Sequence, residues 1–394
     1  MKDKFKAFFA KQSTKSVISS LFCIAAGIFV GWLVLLILAL TSDKIPVSHA
    51  FKGLGIILAG PFASGGSGNI AFVLGDMLFE AAPLMLTGLS VAIAFKTGLF
   101  NIGAPGQYLM GAMGSVIVAL SIPTTPQTAV FVWLLALLAG MLCGMVWGMI
   151  PGLFKALLGV NEVIVCIMTN WIAANVVGWV FFKNPQYVNA VGGKSAYTLP
   201  TTANGVTTPK LGLDKIFPSS NIDIGIFIAI AVAILMFILL NKTTLGYELK
   251  ACGHNKNAAK YAGMSEKRNI VLSMMLAGGL AALGASLYYL NGGAELAWNT
   301  YTKLPDTGFN GIPVALLASN NPLGVVFSSV FLRFIDKGGY NLAGFTAYNE
   351  YVSDLIIAVI VYFAGFAKLI QSLLSKRKRV KAAQAKEKKE EENK

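Results

Sequence analysis

The chain has 394 residues, of which 55% are hydrophobic and only 13% are charged. This composition is too apolar for an ordinary soluble domain and predicts several membrane spans. The net charge of +14 would suggest nucleic-acid binding in a soluble protein. Here, however, Lys and Arg cluster at the two ends and in one central polar stretch, as inward orientation on an anionic membrane surface requires. The distribution therefore argues against a nucleic-acid partner.

Residues able to hold a metal or act as a nucleophile are scarce. The chain has four cysteines, none in a C-x-x-C pair, and only two histidines. A cysteine framework, a histidine-rich metal site and a Ser-His-Asp triad are all disfavoured. We therefore predict no catalytic residue, no metal ligand and no cofactor of its own for this chain.

The first predicted span, residues 17–40, follows a lysine-rich N-terminus (residues 1–16) that we expect in the cytosol. Its apolar run is too long for the core of a cleaved signal peptide. The second span, residues 70–99, contains Glu80 near its middle. An ionisable group at that depth is costly. Glu80 is therefore either part of a solute pathway or a carboxyl group satisfied within the helix bundle.

Residues 98–107, GLFNIGAPGQ, interrupt the helix before a short span at residues 108–120. Non-helical backbone at membrane depth is tolerated only where protein buries it or where it lines a cavity. The amides of Asn101 and Gln107 are therefore candidates to face a polar solute. A tight turn between two helices at the cytosolic face explains the same residues equally well.

The next span, residues 129–150, carries glycines at every fourth position. That spacing lines one face for the close approach of another helix, so we predict a packing role. The glycines are Gly140, Gly144, Gly148 and Gly152. The following span, residues 163–182, carries Asn170 and Trp171.

Residues 183–221 are rich in Pro, Thr, Gly and Asn, which predicts an external loop. The loop contains Gly193-Lys194-Ser195, but the first glycine of a Walker A motif would fall at Val188 and no strand precedes it. The chain is therefore not expected to bind ATP through this motif. Residues 222–240 predict the next span.

A long polar stretch, residues 241–268, follows and is rich in basic residues, which places it in the cytosol. Asn255 is a good N-cap, residues 256–262 predict two turns of helix, and Gly263 is positioned to end them. Small residues on one side of this helix would let a partner's backbone approach closely. These residues are Ala258, Ala259 and Ala262.

The remaining chain predicts a span at residues 270–290, two short spans at 312–318 and 325–334, and a last span at 351–373. Treating the two short pieces as separate spans leaves the basic tail, residues 374–394, in the cytosol.

The predicted fold is an all-α polytopic membrane bundle of about ten spans with short broken helices and both termini in the cytosol. Residues 17–373 form its single transmembrane domain. A weak echo between GLFNIGAPGQ and GFNGIPVAL also suggests an internal duplication.

Four stretches support a family resemblance. GYELKACGHNKNAAKYAGMS, GLFNIGAPGQ, GFNGIPVALLASNNPLG and GVNEVIVCIMTNWIA resemble motifs of bacterial ABC importer permeases in the branch for branched-chain amino acids, simple sugars and nucleosides. The resemblance covers most of residues 69–335 and is closest in detail to the nucleoside permeases. One departure is Pro105, where an acidic residue is common in the family.

The resemblance implies a non-catalytic transport subunit of the bacterial cytoplasmic membrane that moves nucleosides by alternating access. The implied partners are a cytosolic ABC ATPase that binds ATP and Mg, a second permease subunit (identical or homologous) and an external solute-binding lipoprotein. The residues that it assigns to ATPase coupling are Gly253, His254, Asn255, Lys256, Ala258, Ala259, Tyr261, Ala262 and Gly263.

A nucleoside needs amide or carboxyl hydrogen-bond partners and an aromatic face. Each candidate residue could instead have its polar groups satisfied by neighbouring helices. The candidates for the solute pathway are Glu80, Phe100, Asn101, Gln107, Asn170, Trp171, Phe309 and Asn310.

Three alternatives stay open. The first is the same type of permease acting on simple sugars or branched-chain amino acids. The second is an ion-coupled secondary transporter, for which Asp76 and Glu80 are the main intramembrane carboxylates. The third is an integral-membrane enzyme, which the lack of clustered His, Cys and paired carboxylates disfavours.

Overall fold

The computed structural model describes residues 12–42, 44–63, 70–189, 195–299, 303–349 and 351–366. The expected basic N-terminus before residue 12, the Gly-rich linker at 65–68 and the charged tail at 374–394 lie outside these residues. The chain divides into two compact units. One comprises residues up to Gly60 together with those from Gly338 onward, and the other is Pro61–Lys337.

Regular structure in the described residues is helical. The α-helices are α1 (Gln12–Thr41), α2 (Ser48–Ala59), α3 (Ile70–Lys96), α4 (Ala104–Ser121), α5 (Ala129–Leu158), α6 (Glu162–Lys183), α7 (Leu213–Ile216), α8 (Gly225–Lys242), α9 (Thr244–His254), α10 (Lys256–Tyr261), α11 (Glu266–Tyr289), α12 (Asp306–Leu317), α13 (Pro322–Phe345) and α14 (Val352–Gly365).

Six helices of the described residues are long and apolar enough to cross a membrane: α1, α3, α5, α6, α8 and α11. Helices α12 and α13 qualify only as a pair, bent by 120° at their junction, which raises the number to seven. The predicted ten spans are therefore not reached within these residues. Polar residues near the start of α4, Gln107 and Tyr108, lower its mean hydropathy, so α4 is not among the six. The internal duplication stays a prediction.

The junction between α12 and α13 differs from the two short spans predicted at 312–318 and 325–334. Helix α12 begins earlier and α13 continues to Phe345. The chain turns sharply because Ser319 and Asn320 adopt positive φ angles of 51° and 57°. Asn321 then accepts a hydrogen bond from the backbone nitrogen of Leu323 at 3.0 Å, which satisfies a free donor at the start of α13.

The larger unit is built around α11, which packs against α3, α4 and α5. A close contact joins α5 to α11: a Cβ at Gly144 would lie 2.5 Å from the carbonyl oxygen of Gly278, and one at Gly148 would lie 2.9 Å from its Cα. Gly152 faces Met274 and Val271, and Gly140 faces Gly111 of α4. The glycines predicted as a packing stripe therefore lie where α5 meets α11 and α4.

The smaller unit brings α1 against α14. A Cβ at Gly27 would lie 2.5 Å from the Cα of Ile360, so these backbones approach closely. The hydroxyl of Tyr348 donates to the carbonyl oxygen of Leu35 at 2.7 Å. These contacts join the two ends of the described chain.

The predicted external loop is tied to the ends of α4 and α5. Asn204 donates hydrogen bonds of 2.7 Å to the carbonyl oxygens of Ala119 and Ile122. The indole nitrogen of Trp133 donates to the hydroxyl of Thr208 at 3.0 Å. This loop therefore packs onto the helices rather than projecting freely, although its Pro, Thr and Asn content is typical of an exposed segment.

Candidate functional site

The central polar loop, residues 241–268, contains the predicted capped helix as α10. The side-chain oxygen of Asn255 accepts a hydrogen bond from the backbone nitrogen of Ala258 at 3.1 Å, which is the geometry of an N-cap. Gly263 follows the helix with a φ of 79°, a left-handed conformation that glycine adopts without strain. The predicted start and end of this helix are therefore confirmed.

The sequence reasoning missed the helix just before it, α9. Thr243 caps this helix through a 3.1 Å hydrogen bond from the backbone nitrogen of Gly246. The buried residues Gly246, Leu249 and Cys252 recur at every third position and form its inner face. That spacing and the threonine cap were the available signal for α9.

The exposed surface of α10 differs from the prediction in one residue. Ala258 and Ala262 are exposed, whereas Ala259 is only 2% exposed. The expectation that all three alanines share a partner-facing side is wrong because neighbouring residues of an α-helix point about 100° apart. Ala259 instead anchors α10 to its own chain, while Tyr261 is 94% exposed.

Helix α9 is tied to the start of α11 by a hydrogen-bonded clasp. Glu248 accepts from Arg268 at 2.8 Å and from the amide of Asn269 at 3.2 Å. Asn269 also contacts the sulfur of Cys252 at 3.3 Å. Beside this clasp is a groove of about 890 Å³ whose lining includes Lys242, Tyr247, Glu248, Gly263, Met264 and Arg268.

The end of α9 rests on the break between α3 and α4. A Cβ at Gly253 would lie 2.7 Å from the carbonyl carbon of Thr97 and 2.8 Å from the backbone nitrogen of Gly98. Gly98 itself has a φ of 72°. Any side chain at Gly253 would therefore push the central polar loop away from this break.

Within the break, the two amides predicted to face a solute are buried. Asn101 is 0% exposed and Gln107 is 1% exposed. Asn101 donates to the side-chain oxygen of Gln107 at 2.8 Å and to the hydroxyl of Ser90 at 3.0 Å, and it accepts from Gln107 at 3.2 Å. The two side chains satisfy each other and do not reach a solute in this structure, which corrects their assignment to the pathway.

Asn170 of α6 contacts the same break from the other side. Its side-chain oxygen accepts from the backbone nitrogen of Gly106 at 2.9 Å, and its amide donates to the carbonyl oxygen of Ile102 at 2.9 Å. The side chain therefore satisfies two backbone groups that the interrupted helix leaves unpaired.

Three predicted pathway residues come together at one pocket. A pocket of about 270 Å³ is lined by Asn170 and Trp171 of α6 and by Phe309 of α12. The sequence reasoning did not find its other lining residues, which are Ile167, Lys303, Leu304 and Asp306. The pocket thus combines two aromatic rings with a carboxylate and an ammonium, Asp306 and Lys303, that pair with each other at 2.8 Å.

Two other candidates lie away from this pocket. Phe100 packs against Phe95 with ring centroids 5.2 Å apart. Asn310 is exposed and is not among the pocket residues. Since neither residue lines the pocket, the structure does not bring them together with Asn170.

Glu80 forms ion pairs within the helix bundle. Its carboxylate lies 2.9 Å from the ammonium of Lys337 and 3.7 Å from the guanidinium of Arg333, which also bonds Asp336 at 2.8 Å. Of the two interpretations of Glu80, the structure favours a carboxylate satisfied within the bundle. Lys337 was missed because it lies beyond the predicted end of the span at residue 334, and Arg333 because it closes an otherwise apolar run. In the described part of the chain, no three His, Cys, Asp or Glu residues are grouped to hold a metal ion.

A buried carboxyl group lies just before α8. Asp223 is 3% exposed and accepts hydrogen bonds from the backbone nitrogen of Gly225 at 2.7 Å and from the amide of Asn291 at 2.5 Å. Burial raises the pKa of Asp223 to about 6, although both hydrogen bonds and Lys210 act in the opposite direction. Nearby, Asp76 accepts from the backbone nitrogen of Asn221 at 2.9 Å.

Residues 73–365 match the family described as branched-chain amino acid transport system / permease component. The chain belongs to this permease family. It is a multi-pass membrane permease, with the central polar loop and the pocket both inside the matched region.

Relatives with assigned substrates span most of the chain. A nucleoside ABC transporter permease protein of Lactococcus lactis is 34% identical over 81% of this chain and 86% of its own length. A guanosine ABC transporter permease protein of Bacillus subtilis is 33% identical over 79% of this chain and 86% of its own length. A glucose ABC transporter permease protein of Haloferax volcanii is 31% identical over 78% and 79%. No solved structure matches the chain significantly.

Proposed function

We propose that this chain is the membrane permease subunit of an ATP-driven importer for nucleosides. The structural observation that supports it best is α10, a capped helix in a basic loop whose Tyr261 is 94% exposed. Isolated helices this short are unstable in water. The N-cap and buried Ala259 hold α10 in its helical form, so its exposed surface is already formed before a partner binds. The nucleoside and guanosine permeases, matched over about four fifths of the chain, support the substrate class.

The central polar loop would face the cytosol and bind an ABC ATPase, which itself binds ATP and Mg. An exposed tyrosine is typical of the few residues that supply most of the affinity of a protein interface. The groove beside Tyr247 and Arg268 offers a concave complement for the ATPase. ATP hydrolysis belongs to that partner, and this chain acts as a non-catalytic subunit.

The basic residues of the loop orient the whole chain in the bacterial cytoplasmic membrane. With this loop in the cytosol, the positive-inside rule also places the lysine-rich N-terminus and the charged tail there. The loop before α8 is then external, where a solute-binding lipoprotein delivers the nucleoside. A second permease subunit, identical or homologous, completes the pathway.

The pocket between α6 and α12 is the proposed nucleoside contact. Trp171 and Phe309 offer aromatic faces for the base. One carboxylate oxygen of Asp306 pairs with Lys303 at 2.8 Å, and the other is proposed to accept a hydrogen bond from a sugar hydroxyl. The aromatic and carboxylate groups at one pocket match the two halves of a nucleoside.

The substrate is tested by uptake. Cells with and without the gene are supplied with a labelled nucleoside mixture, and uptake is competed by unlabelled nucleosides, ribose, glucose and leucine. We expect uptake that needs the gene, stops when ATP is depleted and is competed by nucleosides alone. Competition by glucose instead would move the substrate to that of the Haloferax relative. Uptake that continues without ATP would overturn the ATP-driven mechanism.

Docking of the ATPase is tested with Tyr261→Ala. Loss of an aromatic hot spot costs about 2 kcal/mol, or about 30-fold in affinity, so the ATPase should no longer co-purify and uptake should fall. Tyr197→Ala removes a tyrosine that is 42% exposed on the opposite, external loop and serves as the matched control. Equal retention of the ATPase by both variants would place the docking surface elsewhere.

A further inference from the structure

The break between α3 and α4, together with the first turn of α4 (residues 98–107), touches both the central polar loop and the helices that line the pocket. We propose that this segment, here called the joint, transmits movement of α9 and α10 to the pocket, with Gly253 and Asn170 as its positioning residues. The proposal rests on the proposed function, since it assumes that the ATPase acts on the central polar loop. It adds the route by which that action reaches the solute.

The first contact in this route joins α9 to the joint. Backbone meets backbone here: a Cβ at Gly98 would lie 3.1 Å from the Cα of Gly253, and one at Gly253 would lie 2.8 Å from the nitrogen of Gly98. With no side chain between them, the two segments cannot approach further without both moving. The clasp from Glu248 to Arg268 and Asn269 holds α9 to α11 beside this contact.

The second step is the stiffness of the joint. Asn101 donates hydrogen bonds to Ser90 and Gln107, and it accepts them from Gln107 and from the backbone nitrogen of Gly103. A fully satisfied buried polar network of this kind rigidifies the segment that contains it. The joint should therefore move as one piece rather than absorb displacement by bending.

The third step joins the far end of the joint to both pocket helices. Asn170 of α6 accepts from the backbone nitrogen of Gly106 and donates to the carbonyl oxygen of Ile102. Gly308 of α12 meets the joint at Pro105, where a Cβ on Gly308 would lie 2.5 Å from the Cα of Pro105. Since α6 and α12 provide Trp171 and Phe309, a shift of the joint changes the space between the two rings.

The proposal is tested by measuring ATP hydrolysis and nucleoside uptake in the same proteoliposomes, which contain the complete transporter. In Gly253→Ala, we expect the amount of nucleoside taken up per ATP hydrolysed to fall about tenfold, which corresponds to about 1.4 kcal/mol of lost coupling. Gly55→Ala is the matched control, because a Cβ there meets nothing within 4 Å. Hydrolysis and uptake that remain coupled in Gly253→Ala would overturn the proposal.

Asn170 is tested separately because it also lines the pocket. Asn170→Asp keeps the acceptor for Gly106 but loses the donor to Ile102, and Asn170→Ala loses both. If Asn170 positions the joint, maximal uptake per ATP falls in the order wild type, Asp, Ala while the KM for nucleoside is unchanged. A raised KM with normal coupling would make Asn170 a solute ligand instead. Asn175→Ala, on the same helix and bonded only locally to Trp171, is the control.

A distance measurement separates this proposal from the choice of solute. Spin labels replace Ile172 and Asn310, the exposed residues that follow Trp171 on α6 and Phe309 on α12. Cys23 and Cys143 are changed to serine, while the buried Cys166 and Cys252 are kept. We expect the label distance to change on adding ATP to the complex, and Gly253→Ala to abolish this change. A normal change in Gly253→Ala would overturn the joint even if the transported solute is not a nucleoside. An absent change in the wild-type complex would overturn both proposals.

Discussion

The cost of burying a polar side chain in this protein depends on whether its atoms find hydrogen-bond partners. Asp223 and Asn101 are both almost completely buried. Burying the amide of Asn101 costs little free energy because its oxygen and its nitrogen both form hydrogen bonds. The carboxyl of Asp223 is different, because its charged form is desolvated and its hydrogen bonds offset only part of that cost. Burial therefore makes Asp223 sensitive to pH in a range where exposed aspartates are fully ionised.

The stability of the protein should consequently fall as pH rises past Asp223's pKa. Its pKa is about 6 in the folded chain against an ordinary value of 3.8, so folding favours the protonated form. This contribution to stability is fully present below about pH 4 and is lost as pH rises through about 6. Thermal unfolding in detergent should show this decline, and Asp223→Asn should reduce it.

The control is Asp214→Asn, which changes an exposed aspartate of the same loop region. It makes the same change of an aspartate outside the buried site, and the decline of stability with rising pH should persist in this variant. An identical pH dependence in wild type and Asp223→Asn would show that another group is responsible.

Among the helices, close packing depends on glycines, which place no side chain between two backbones. Helices α5 and α11 meet through glycine and alanine, and the backbone of Gly278 fills the space that a side chain at Gly144 or Gly148 would need. Between membrane helices, association depends on van der Waals packing of this kind, because lipid and protein are equally apolar. The period of four residues along α5 was visible in the sequence, but its partner on α11 was not.

Adding one methyl group to this contact should be destabilising. In Gly144→Ala the new Cβ would lie 2.5 Å from the carbonyl oxygen of Gly278, and overpacking of this kind costs about 1–3 kcal/mol. Thermal unfolding in lipid nanodiscs should show a lower midpoint. Gly344→Ala is the control, since its Cβ meets nothing within 4 Å and the same change should there be neutral or stabilising. Equal midpoints for the two variants would contradict the close contact.

At the scale of the whole molecule, charges far apart in the chain neutralise each other. Glu80 and Lys337 are separated by 257 residues. Their side chains are 29% and 20% exposed, and Arg333 and Asp336 extend the network. In apolar surroundings, charged side chains are stable only when they are paired with opposite charges, so this network ties α3 to α13.

Removing one charge should therefore cost more than removing the pair. Glu80→Gln leaves the ammonium of Lys337 uncompensated and should destabilise the protein by about 1–3 kcal/mol, less than for a fully buried pair because both side chains are partly exposed. The double variant Glu80→Gln with Lys337→Met should recover most of this loss. A double-mutant cycle based on chemical unfolding in detergent measures the coupling. Strictly additive effects would show that the two groups do not interact in solution.

Features that depend on a few neighbouring residues could be predicted from the sequence. The apolar runs predict the long helices because burying apolar side chains needs only composition and length. The cap at Asn255 and the turn at Gly263 follow from local hydrogen bonding and backbone freedom. The family motifs are local as well, which is why the permease family could be recognised before the structure.

The direction of each side chain and its contacts depend on how the helices pack and could not be predicted from local sequence. Helix packing turned Ala259 inward, paired Glu80 with Lys337, buried Asn101 against Gln107 and bent α12 against α13 by 120°. It also brought Asn170 and Phe309, from opposite halves of the chain, to one pocket. These outcomes depend on contacts between segments far apart in sequence. Before the helices pack, the same residue types could form many alternative side-chain pairings. Helix packing leaves room for one of these pairings.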